Sequence, residues 1–101
     1  MDILVYTRSE ALEKKLDPNN VVAFWDLAGV PRQTDHCDIE RIYFATKGAI
    51  RGHCEIDEVY YERITFIPST WSEFANPIPH HQFQGFKYVR GDLKQKIEKE
   101  D

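Results

Sequence analysis

The sequence predicts an α+β domain, a small mixed but mainly antiparallel β-barrel with two short helices. Three observations carry that expectation. Runs of β-branched and aromatic residues recur along the chain, one run alternates apolar and polar residues at period two, and Pro, Gly and Asn punctuate the gaps. A chain of 101 residues has room for one core, and closing the sheet hides its strand edges. The expected organisation is a barrel domain over residues 1–91 followed by a charged tail over residues 92–101.

Each element follows from local chemistry. Residues 3–7 form a short apolar run and are expected to be a strand. Residues 9–16 are good helix formers with acid early and base late, which suits the helix dipole, and Asp17-Pro18-Asn19-Asn20 stops them. Residues 21–27, Val-Val-Ala-Phe-Trp-Asp-Leu, read as a second strand, and residues 29–38 as a polar loop. Arg41-Ile42-Tyr43-Phe44-Ala45-Thr46 is a third strand and Lys47-Gly48 a turn. Beyond it Ile50, Gly52, Cys54 and Ile56 are expected on one face, with Arg51, His53, Glu55 and Asp57 on the other, which makes an antiparallel hairpin. Residues 63–67 are expected to be a strand ended by Pro68. Thr70-Trp71-Ser72-Glu73 has the hydroxyl and carboxylate spacing of a capping box and predicts the second helical turn. Asn76-Pro77-Ile78-Pro79 predicts irregular backbone, because each Pro removes a donor and restricts the residue before it. Residues 85–91 give a last strand between two glycines.

Composition narrows the function. Thirteen Lys and Arg against 17 Asp and Glu leave a net charge of −4, which disfavours a general duplex binder, since grip on a long phosphate backbone needs a basic excess. No apolar run approaches the roughly 20 residues of a membrane span, so no membrane association is expected. The acidic start lacks the character of a signal peptide, which points to the cytoplasm. Two cysteines, Cys37 and Cys54, are too few for a disulfide scaffold and are expected as free thiols.

Metal and catalytic patterns are sparse. His36-Cys37 and His53-Cys54 offer zinc-ligand chemistry, but neighbours on an extended strand point to opposite faces. The expectation is Cys54 in the core, His53 in solvent, no metal and no cofactor. His80-His81 is expected as an exposed loop pair. No nucleophile elbow, zinc-hydrolase motif or glycine-rich phosphate loop is present, and the catalytic residues are unknown. The basic and aromatic residues are more informative. Lys47 and Arg51 flank the hairpin turn, Lys87 and Arg90 lie on or beside the last strand, and Trp25, Trp71, Phe83 and Phe86 lie in or next to these segments. Flat rings that stack on a base, with cations on its phosphate, are how unpaired bases are held. The same aromatic residues also suit a barrel core.

The segment Arg41-Ile42-Tyr43-Phe44-Ala45-Thr46-Lys47-Gly48-Ala49-Ile50-Arg51-Gly52-His53-Cys54-Glu55-Ile56 resembles the central hairpin of the PUA-like barrels, the group that holds the PUA, ASCH and EVE domains. Pro68-Ser69-Thr70-Trp71, Asn76-Pro77-Ile78-Pro79 and Phe83-Gln84-Gly85-Phe86-Lys87-Tyr88-Val89 resemble the closing segment of that group. The resemblance spans residues 3–91. It implies a pseudo-barrel with a cleft that binds RNA, single-stranded or modified nucleic acid, or a modified nucleotide. It also admits a small ASCH-like hydrolase acting on a modified nucleoside, for which Thr46, Lys47 and Glu55 are the available group. The ASCH string G-x-K-x-x-E-x-R is replaced here by Gly48-Ala49-Ile50-Arg51-Gly52-His53-Cys54-Glu55, so no catalytic residue carries over. A protein-interaction module with an aromatic surface and no small ligand is the third expectation.

Overall fold

The computed structural model describes residues 2–17, 19–26, 40–60, 63–83 and 86–89. The predicted loop with His36 and Cys37, the cation Arg90 and the charged tail lie outside the described residues. Six strands and one helix follow in the order β1 (Asp2–Tyr6), α1 (Ser9–Lys15), β2 (Ala23–Asp26), β3 (Arg41–Thr46), β4 (Ala49–Tyr60), β5 (Arg63–Pro79) and β6 (Phe86–Val89). They form one mixed sheet in the order β2-β5-β4-β3-β1-β6, curled into a half-barrel. β1 and β3 run parallel, as a pair joined through an intervening helix and strand can, and every other pairing is antiparallel.

The central strands are buried on both faces, so their sequences show continuous apolar runs where a half-exposed strand would alternate. One face carries Ile3, Val5, Ile42, Phe44, Cys54, Ile64 and Phe66, and Leu12 of α1 closes over it. Leu4, Tyr43, Ala45, Ile50 and Phe74 make a second core on the other face, flanked by Tyr6, Ile78 and Phe83. Asp2 is buried at the rim of this second core, where its carboxylate accepts the Arg41 amide at 3.2 Å. Helix α1 ends as its sequence predicts. The Leu16 amide bonds back to the Leu12 carbonyl, Asp17 accepts the Asn19 amide, and the Asn20 side chain donates to the Lys14 carbonyl at 3.2 Å.

The antiparallel hairpin of β3 and β4 forms as expected, with one correction to the faces. Ala45 pairs with Ile50 and Phe44 with Gly52, which leaves Arg51 as an extra residue in a bulge. Because side-chain direction alternates, one extra residue flips everything beyond it. Ile50 therefore belongs to the second core, whereas Cys54 and Ile56 pack with the first. His53 also departs from expectation. It is half-buried, edge-on to Tyr43 at 5.2 Å and tilted against Phe74 at 5.8 Å, and does not stand in solvent.

The second helix does not form; α1 is the one helix among the described residues. The strand that begins at Arg63 continues past Pro68, through Thr70-Trp71-Ser72-Glu73, to Pro79. Two wide bulges make this possible. Glu55 pairs with Ile67 and His53 with Ser72, so Cys54 alone faces residues 68–71; Gly52 pairs with Glu73 and Ile50 with Ile78, so Arg51 alone faces residues 74–77. Pro68 and Pro77 occupy these gaps, where no ladder donor is required, and Pro79 sits at the strand's end. The Thr70 hydroxyl, placed by sequence at a helix start, instead stitches the first bulge. It accepts the Glu55 amide at 2.8 Å and donates to the Ile67 carbonyl at 2.6 Å.

Candidate ligand groove

Ser9, Leu12, Glu13 and Leu16 recur at the spacing that lines one side of a helix. Leu12 and Leu16 anchor α1 on the first core, which leaves Ser9 and Glu13 on its flank. Across from them stand residues of three strands: Thr46 at the end of β3, the bulge residue Arg51 of β4, and Trp71 and Glu73 from the middle of β5. The space between is a groove of about 450 Å³.

Trp71 is held there by a missing side chain. Gly52 pairs with Glu73, and a Cβ on Gly52 would meet the Ser72 carbonyl oxygen and lie 2.8 Å from Trp71 Cη2. The indole fills the space above Gly52 and is backed by Phe44, with ring centroids 6.2 Å apart. Arg51 is fixed by donating from Nε to the Thr46 carbonyl at 3.3 Å. Lys47 and Gly48 turn the hairpin with φ of 50° and 82°, left-handed values that suit Gly48 better than Lys47. The Gly48 amide donates to the Tyr6 hydroxyl.

A second groove of about 720 Å³ meets the first at Ser9 and Lys47. Tyr6, Thr7, Arg8, Glu10 and Ala11 form one side, and Gln82 and Phe83 the other. Phe83 is edge-on to Tyr6 at 5.7 Å and to His80 at 5.2 Å, and Lys87 Nζ lies 4.5 Å from its ring centroid. The imidazoles of His80 and His81 stack at 4.7 Å, and Lys87 Nζ is 3.4 Å from His81 Nε2. The two grooves make a trough divided by Lys47. Both volumes fall within the roughly 300–1,000 Å³ of small-molecule sites.

Of the residues singled out by sequence, Lys47, Arg51, Trp71 and Phe83 line this trough and Lys87 stands at its edge beside Phe83. Trp25 and Phe86 do not. Trp25 is edge-on to Phe44 at 5.5 Å, and Trp25 and Phe86 are half-buried against the first core. Arg90 lies outside the described residues. Thr46, Lys47 and Glu55 are not assembled. Glu55 is opposite Arg41, five residues along β3 from Thr46, or about 17 Å at the usual rise of a strand.

Arg8, Ser9, Glu13, Glu73 and Gln82 join the trough without having been singled out. The helical spacing of residues 9–16 contained the signal for Ser9 and Glu13. Glu73 carried none, since its position depends on β5 continuing past Pro68. The charges are mixed: Arg8, Lys47 and Arg51 against Glu10, Glu13 and Glu73. The one ion pair among the described residues joins Arg63 Nε and Asp26 on the β2 edge at 2.7 Å, so the groove's charges are not consumed by one another. Two buried groups elsewhere are strongly perturbed. Burial pushes the Cys54 thiol up to about 12. Burial, with the Asp2 carboxylate adding to it and Arg41 opposing, pushes the Tyr43 phenol up to about 12.

No protein-family profile, curated protein or solved structure is significantly similar to this chain. No helix among the described residues is long and apolar enough to cross a membrane.

Proposed function

We propose that the protein is a PUA-like module that binds RNA, or a modified nucleotide, in the trough beside α1. One observation carries the reading: Lys47 and Arg51 stand in the same groove as the half-buried indole of Trp71, and Phe83 lines the continuation of that groove past Lys47. A flat ring backed by protein is a stacking platform for a base, and neighbouring cations hold the phosphate. Glu10, Glu13 and Glu73 within the same trough oppose a long polyanion lying along it. The ligand is therefore one or two nucleotides of a single strand, or a free nucleotide.

Titration of tryptophan fluorescence with short single-stranded RNA and DNA at two salt concentrations tests this. Two phosphate contacts give a slope of log K against log salt of about −1.4. Replacing both Lys47 and Arg51 by Ala abolishes that slope and most of the affinity. Absence of binding at low salt, or binding indifferent to the double substitution, removes the proposal.

A further inference from the structure

The trough has a feature that phosphate binding and stacking leave unused: two carboxylates, Glu13 and Glu73, line the groove that holds Trp71. Glu73 is paired with Gly52, whose vacant side-chain space the indole occupies, so the Glu73 carboxylate and the Trp71 ring share one face of β5. Glu13 comes from the opposite wall, on α1. Both side chains are exposed, and neither forms an ion pair among the described residues. An ionised carboxylate only accepts hydrogen bonds. A base stacked on Trp71 must therefore present donors at its edge.

Resting on the nucleotide-binding reading, we infer that the groove selects guanine. Its Watson–Crick edge places an N1–H and an N2 amino group side by side, matching the two oxygens of one carboxylate, and the second amino hydrogen remains for the other. Adenine and cytosine offer one amino group next to a ring-nitrogen acceptor. Uracil offers one N–H between two carbonyls. Each of these sets a lone pair against the carboxylate, so the same groups that attract guanine repel the others. Glu73 is the principal reader because it shares a strand face with the stacking ring, and Glu13 is its partner. Lys47 and Arg51 then take the 5′-phosphate.

The test is calorimetric titration of the intact chain with GMP, AMP, CMP and UMP, followed by Glu73→Gln and Glu13→Gln. GMP binds about tenfold tighter than the other three, the discrimination expected of one bidentate contact. Glu73→Gln removes most of that preference and Glu13→Gln a smaller part, GMP weakening while AMP, freed of the carboxylate's repulsion, binds somewhat tighter. Both positions are exposed, and a circular dichroism spectrum matching the parent establishes that the variants are folded. Equal affinity for all four nucleotides, or a guanine preference that survives both substitutions, overturns the inference and leaves the broader binding reading standing. Failure of every nucleotide and of single-stranded RNA to bind overturns both.

Discussion

Gly52 offers the sharpest test of how the groove is built. In Gly52→Ala the new methyl group meets two obstacles of different kinds. The Trp71 ring, 2.8 Å from the added carbon, can swing aside. The Ser72 carbonyl cannot, because Ser72 is held opposite His53 in the β4–β5 ladder. Overfilling a packed site costs about 1–3 kcal/mol, and a backbone obstacle places this variant near the upper end, at about 3 kcal/mol. For a domain of this size, at about 4–8 °C per kcal/mol, that is a fall in Tm of roughly 12–24 °C. Gly48→Ala is the control. Gly48 has φ of +82° but no atom within 4 Å of an added Cβ, so only the left-handed backbone cost of about 1–2 kcal/mol applies. Urea unfolding followed by tryptophan fluorescence and far-ultraviolet circular dichroism measures both. Gly52→Ala within about 0.5 kcal/mol of the parent, or less damaging than Gly48→Ala, would refute the claim that β5 and the Trp71 ring close over position 52 because it has no side chain.

Three further outcomes follow from the packing. Thr70→Val lowers stability by about 1–2 kcal/mol, because it removes the acceptor for the Glu55 amide and the donor to Ile67, whereas Thr70→Ser retains both; equilibrium unfolding of the pair distinguishes a stitched bulge from simple packing. Stability falls as pH rises from about 9 to 12. The folded chain retains the protons of Cys54 and Tyr43 where the unfolded chain has begun to release them, so unfolding releases protons there. The urea midpoint drops across that window, and Tyr43→Phe flattens part of the drop; a midpoint that rises would contradict the burial of both groups. In a Cys37→Ser background the remaining thiol, Cys54, resists a thiol reagent at about pH 8 until denaturant is added, because it is both buried and protonated.

The residues around the hairpin turn were legible because their signals are local. The apolar run at residues 42–45, the Lys47-Gly48 turn and the dipole-matched helix at residues 9–15 each rest on neighbours within a few positions. Signals in β5 were local too, but they pointed elsewhere. A threonine three residues before a glutamate is an N-cap only if the backbone between them is helical, and here the partner strand supplies Glu55 for the Thr70 hydroxyl. Pro68 and Pro77 mark a break only when the ladder needs their missing amides; residues 68–71 and 74–77 lie where it does not. The alternation from Ile50 to Ile56 was sound within each half, and Arg51 divided it between two cores.

By itself the chain determined the extended runs other than β5 beyond Pro68, where helix α1 starts and stops, and that Lys47 and Arg51 flank the turn at Lys47-Gly48. The tertiary structure decided which of them meet. Trp71 and Phe83, packed against the two cores, also line the trough, whereas Trp25 and Phe86 pack on the first core away from it, and Glu13 and Glu73, 60 positions apart in the numbering, line one groove. The physical reason is that backbone preference acts over a few residues. Which face a side chain takes after a bulge, and what stands opposite it, depends on pairing partners far away in the chain.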